Sequence, residues 1–337
     1  MQFGLSFGAL YAPSEQIVKL AIEAEKYGFS HLWLPDSQMI YRDVYMNLAL
    51  TAKATSKVKL GTLVTSPATR HPSVIASAAV TLNEISGGRA IIGIGAGDSA
   101  VRRIGLPPET TSRVAETIKI IRKLCLGEPV DFKGIRSTLR YGGVQIPIYV
   151  VATGHKMLAM GGALSDGVVI HSGTSQSLID SSLRAVEKGA SEAKRSLGEI
   201  DLVHMGFCSI AEEREAAYAL VKPSVIWFCI RYPNLLEEAG LPLSEELAED
   251  VERFRSDYAS YDFIHSGEWG RAMDATAFLP DRFAAELAYS GTPEDVVKKI
   301  RAVEAKGFTQ VIIRPPSTEH WEQVFRMFAE HVIPYFK

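Results

Sequence analysis

The stretch Gly93-Ile94-Gly95-Ala96-Gly97-Asp98 closes an apolar run, Ala90–Gly95, with alternating glycines and a carboxylate. Glycines there, lacking Cβ atoms, let the backbone approach a flat ligand closely, and an aspartate just past a strand end can give or take a proton. The spacing is GxGxG followed by Asp, not GxGxxG, and it does not follow the first strand of a unit, so a dinucleotide-binding turn is rejected. The structural alternative for Asp98 is an N-cap of Ser99–Ile104. A second carboxylate, Asp36 in Leu34-Pro35-Asp36-Ser37, follows an earlier strand and would face the same end of a barrel. Its structural alternative is an Asx-type turn.

Hydroxyl-rich loops supply further candidates. Gly61–Pro72 carries Leu63, Val64 and Thr65 and then Thr69-Arg70-His71-Pro72. Arg70 and His71 could reach an anion; the plainer alternatives are a surface ion pair for Arg70 and helix-start packing for His71, which we prefer for the histidine. Thr153-Gly154-His155 and Ser172-Gly173 each follow a strand and offer amides near a helix start, where a phosphate can bind. Cys125, Cys208 and Cys229 are widely spaced, with no zinc-type pattern, and read as buried thiols; no metal site is expected.

These residues need elements to hold them. Eight strand-like runs recur: Phe3–Phe7, His31–Leu34, Val58–Val64, Ala90–Gly95, Ile148–Val151, Val168–His171, Leu202–Ile210 and Val311–Arg314. Amphipathic stretches such as Glu15–Tyr27, Tyr45–Thr55, Val74–Ile85, Thr111–Leu126, Ser177–Arg195 and Glu294–Lys306 are long enough to be crossover helices. Eight such units imply a (β/α)8 TIM-type barrel, one domain over residues 1–337, with its working end at the C-terminal ends of the strands. Val130–Tyr141 reads as an inserted hairpin. Pro233–Pro280, rich in acidic residues, Tyr and Ser, reads as an inserted lid, substrate wall or outer helical excursion. A net charge of −3 and the lack of a basic aromatic block exclude a nucleic-acid surface, and no apolar segment signals export or membrane insertion, so a cytoplasmic protein with a small-molecule partner is expected.

Taken in order, Ile85–Asp98, Lys59–Pro72, Ile146–Gly167 with its Ser165-Asp166-Gly167, and Phe207–Ile210 resemble the bacterial-luciferase-like superfamily. The pattern is most similar to the methylenetetrahydromethanopterin reductases that use a 5-deazaflavin coenzyme. The resemblance implies a bulged third strand with a non-prolyl cis peptide behind the flavin ring, here Leu63–Val64. It implies cofactor phosphate on Thr153, Gly154 and His155, with Ser172 and Gly173 as further contacts. It also implies that Asp98 lies beside the reactive face of the ring and Asp36 near its edge. Two positions depart from relatives: Ser6 stands where the reductases carry a glutamate, and Ser37 where related sugar-phosphate dehydrogenases carry a histidine.

The implied activity is hydride transfer between FMN or coenzyme F-420 and a small organic substrate. The alternatives are an FMN-dependent monooxygenase supplied by a separate flavin reductase, and a flavin-binding barrel without catalysis. A homodimer or larger homo-oligomer is also implied.

Overall fold

A computed structural model describes residues 1–257 and 268–337. Its strands are β1 (Gln2–Ser6), β2 (His31–Leu34), β3 (Lys59–Thr62), β4 (Ala90–Ile94), β5 (Val130–Phe132), β6 (Ile135–Ser137), β7 (Ile148–Ala152), β8 (Gly167–Ile170), β9 (Asp201–Ile210), β10 (Tyr289–Gly291) and β11 (Gln310–Arg314). Eight of them close a parallel barrel in the order β1-β2-β3-β4-β7-β8-β9-β11, and β11 pairs back onto β1 with Gln310 opposite Gln2. All eight expected strands are present. The sequence reading missed β10, three residues that pair with the C-terminal extension of β9, Tyr289 opposite Cys208.

The interior is packed rather than open. Trp33, Ile91, Tyr149, Val169, Val203 and Ile312 point inward from six different strands and form one buried cluster. Removing each such side chain from water stabilises the fold by roughly 1.5–3 kcal/mol. Helices cover the outside: α1 (Ser14–Tyr27), α2 (Val44–Ala54), α3 (Pro72–Ser86), α4 (Ser99–Arg102), α5 (Thr111–Cys125), α6 (His155–Leu164), α7 (Gln176–Glu192), α8 (Arg214–Arg231), α9 (Pro233–Glu238), α10 (Glu245–Asp257), α11 (Trp269–Ala275), α12 (Asp281–Leu287), α13 (Pro293–Glu304) and α14 (Trp321–His331). The i, i+3, i+4, i+7 pattern explains the outer helices. In α14, Trp321, Val324, Phe325 and Phe328 make one buried face, and Phe328 meets Phe3 of β1 edge-on at 5.3 Å.

At the N-terminal end of the strands, Arg89 locks β3 and β4 together. Its guanidinium donates to the carbonyls of Ala52, Thr55, Val58 and Ser86, which end α2, lead into β3 and end α3. These are the carbonyls a helix C-terminus leaves unpaired.

Val130–Tyr141 contains the antiparallel hairpin β5–β6. Within 233–280, α9, α10 and α11 pack against α8, and the Trp269 indole donates to the Leu220 carbonyl at 3.1 Å. None of the described residues of 233–280 lines the main cavity, and residues 258–267 of this expected insertion lie outside the described residues. All three cysteines are buried and unpaired. Among the described residues, no helix is long and apolar enough to cross a membrane, and no His/Cys/Asp/Glu group could hold a metal.

Candidate active site

A cavity of about 290 Å³ opens at the C-terminal ends of the strands. One wall is built by backbone. Strand β3 leaves the ladder with β4 at Thr62 and rejoins it at Thr65, whose amide donates to the Gly93 carbonyl at 2.9 Å. Across this bulge the Thr62 hydroxyl donates to Gly93 O and accepts from Gly93 N, replacing the missing ladder bonds. The Leu63–Val64 peptide inside the bulge is cis, as expected, and both residues line the cavity.

The glycine alternation has a cause beyond ligand approach. A Cβ at Gly93 would lie 2.0 Å from the Thr62 carbonyl oxygen, so the glycine is required by the neighbouring strand. Gly97 adopts φ +85°, a conformation that disfavours other residues, and turns the chain so that Ala96, Gly97 and Asp98 face the cavity.

Asp36 and Asp98 both line this cavity. Their surroundings differ. Asp36 is buried, and both its oxygens are committed: Arg70 grips them through Nε and Nη2 at 2.8 and 3.0 Å, and the Thr65 hydroxyl donates at 2.9 Å. Arg70 also reaches Asp43 at 2.7 Å and lies over the Tyr45 ring at 5.2 Å. It is therefore no mere surface pair but the strap that ties the loop after β3 to the loop after β2. His71 takes the plainer role, as the N-cap of α3 packed on Phe132.

The Asp98 side chain is 39% exposed and pairs with Arg102 Nε at 2.8 Å. It occupies the N-cap position of α4 but makes no capping hydrogen bond, so the capping alternative does not describe its side chain.

Thr153 and Gly154 line the cavity at the start of α6. No side chain caps that helix, which leaves its first-turn amides for a ligand. A Cβ at Gly154 would meet open space. Its φ of −81° suits any residue, so steric crowding within the protein is not what a substitution there would cause.

Four sequence candidates do not line the cavity. The Thr65 side chain is turned to Asp36, and the His155 ring reaches outward to Ser181 at 3.0 Å and Glu238 at 3.7 Å. Ser172 is fully buried and accepts from Ser182, while Gly173 packs on Leu287 and its carbonyl takes a hydrogen bond from His204. The turn after β8 is thus pulled into the barrel wall by neighbouring side chains.

Of the opposite wall, sequence reasoning singled out Ser6 alone. The wall comprises Ser6, Met205, Phe207, His171, Trp227 and Arg314. The His171 ring stacks on Trp227 at 5.3 Å and meets Phe207 edge-on at 5.1 Å. Burial, aided by the charge of Arg314, pushes its pKa down to about 3, so it is neutral. Nearby, the Tyr232 phenol is pushed up by burial, against a hydrogen bond with Thr153, and the Asp98 charge raises it further. One signal was available: His171 and Arg314 end two of the predicted strands, and polar strand ends in a barrel face its working mouth.

The family model described as luciferase-like monooxygenase matches residues 3–310. The 5,10-methylenetetrahydromethanopterin reductase of Archaeoglobus fulgidus is 32% identical over 100% of both chains. The F-420-dependent glucose-6-phosphate dehydrogenase of Nakamurella multipartita is 28% identical over 99% of this chain and 96% of that one. Among solved structures, the coenzyme F-420 dependent tetrahydromethanopterin reductase from Methanopyrus kandleri superposes with a TM-score of 0.82 at 28% identity, covering 100% of this chain and 99% of that chain. Full-length likeness of this kind, on a barrel with the same bulged third strand that the sequence led us to expect, means that the chain belongs to the luciferase-like monooxygenase family.

Proposed function

We propose that this protein is a deazaflavin-dependent oxidoreductase that moves hydride between coenzyme F-420 and a small organic substrate. The observation that carries this is one cavity in which an apolar wall, an uncapped helix N-terminus and a carboxylate converge. Full-length relatives named for that coenzyme support the choice over FMN. The residues fit such a group: Leu63, Val64, Ala96 and Gly97 would hold a flat ring, and Thr153, Gly154 and the first-turn amides of α6 would hold its phosphate. When bound, the coenzyme supplies the ring carbon that gives or takes hydride.

The chain's own residues supply the rest. Asp98 holds or moves a proton at its carboxylate; it is exposed enough to exchange with solvent, and Arg102 keeps it aimed. Asp36 has no oxygen to spare, so its role is to brace the loop after β3 against that after β2. Ser37 adds to the brace through a 3.0 Å contact with the Ser99 hydroxyl on α4. The expected self-association has a candidate face in the exposed Met46 and Leu50 of α2 and Val74 of α3.

Equilibrium titration with coenzyme F-420 and with FMN, each oxidised and reduced, tests the reading. Tighter binding of F-420 in both redox states is expected. Preference for FMN would overturn it in favour of the oxygen-using branch of the family.

A further inference from the structure

Arg314 is the last residue of β11, and its side chain reaches the mouth of the cavity beside Gly8 and above Phe207, with the guanidinium carbon 5.2 Å from that ring. Its guanidinium forms no hydrogen bond or ion pair with any described residue. The other charges on the cavity wall are compensated: Asp36 by Arg70, Asp98 by Arg102. His171 beside it is neutral and leaves its Nε2 buried without a partner. A half-buried guanidinium has given up water and presents five N–H donors in a planar fork, a cost usually recovered by an anion.

The surroundings select the anion. Only one uncompensated cation lines the cavity among the described residues, which matches a monoanion rather than a phosphate dianion. The flat fork suits a carboxylate. Phe207, Trp227 and Met205 beside it form an apolar wall. We propose that this half of the cavity is a carboxylate subsite, and that the substrate is an organic acid whose carboxylate pairs with Arg314 while its apolar body lies on Phe207 and Trp227. The proposal rests on the oxidoreductase reading only in calling the occupant a substrate. The pairing itself can be measured without cofactor.

Calorimetric titration with acetate, benzoate and phenylacetate, each beside its neutral amide, and with inorganic phosphate, tests it in wild type, Arg314→Gln and Arg314→Lys. Wild type should prefer the aryl carboxylates over their amides and over phosphate. Arg314→Gln should lose on the order of tenfold or more in carboxylate affinity, as expected for a charge-assisted bond, and Arg314→Lys should recover part of it. Equal affinity for acid and amide, or no carboxylate binding, or unchanged binding in Arg314→Gln, overturns the subsite. So does stronger binding of phosphate. A parallel F-420 titration separates the two readings. If Arg314→Gln weakens F-420 as much as benzoate, the guanidinium serves the cofactor and the proposal fails. If wild type binds no F-420 yet keeps the acid preference, the subsite stands and the proposed function falls.

Discussion

The two walls of the cavity are built by different means. On the side of β3, β4 and β7, shape comes from backbone: a cis peptide, a bulge bridged by the Thr62 hydroxyl, a glycine that admits a neighbouring carbonyl, and an uncapped helix start. On the side of β8, β9 and β11, shape comes from side chains: His171, Phe207, Trp227 and Arg314 in mutual contact. A wall of backbone can be kept while substrates change, because it depends on few residue types. A wall of side chains is where one substitution alters what binds. The contrast fits our proposal that the first wall takes the cofactor and the second the substrate.

The largest expected effect concerns the residue between them. Asp98→Asn keeps the shape of the side chain but removes its charge, and should lower turnover by roughly 10²–10⁴-fold if the carboxylate moves a proton. Cofactor affinity should hardly change. Near-normal turnover with an unchanged pH profile would make Asp98 structural. Next, Arg70→Met strips the buried Asp36 of its partner and should cost about 3 kcal/mol, the low end for a broken buried pair because Arg70 is 20% exposed. Denaturant unfolding measures it. A loss well below 1 kcal/mol would show that Asp36 is solvated and free to act in chemistry.

The backbone wall was legible in the sequence and the side-chain wall was not, for physical reasons. Glycines at 93, 95 and 97 followed by Asp98 are residue types that a special backbone requires, so they can be read without neighbours. The same holds for the eight strands, whose apolar runs are continuous because both faces are covered. Trp227, by contrast, sits on α8, a helix that contains Pro223 and that the sequence reading did not single out. Phe207 looks like any core aromatic, and only the closed barrel brings it under Arg314 from the adjacent strand. Ser172 and Gly173 failed in the opposite sense. Their types suit a phosphate loop, but Ser182 and His204 claim them from within the fold.

Smaller effects should follow from two buried histidines, His171 of the side-chain wall and His204 behind it on β9. His171 and His204 have pKa values pushed by burial to about 3 and about 4, below the ordinary value near 6.5 of the unfolded chain. The unfolded state therefore binds more protons between those values, so their stabilising contribution is complete above about pH 6.5 and is lost as pH falls toward 4. Melting temperature should drop over that window, and His171→Phe should flatten the drop. An identical pH dependence in the variant would mean that His171 is not buried as neutral imidazole.

The division of the cavity is tested most directly by cofactor affinity in one variant from each wall. Gly154→Val places its side chain in space that no protein atom occupies, so the folded protein should tolerate it while a phosphate held there would not. F-420 affinity should fall about tenfold or more in Gly154→Val, the equivalent of roughly 1.4 kcal/mol, and stay at the wild-type value in Arg314→Gln. Unchanged affinity in Gly154→Val together with a loss in Arg314→Gln would reverse the assignment and contradict the account.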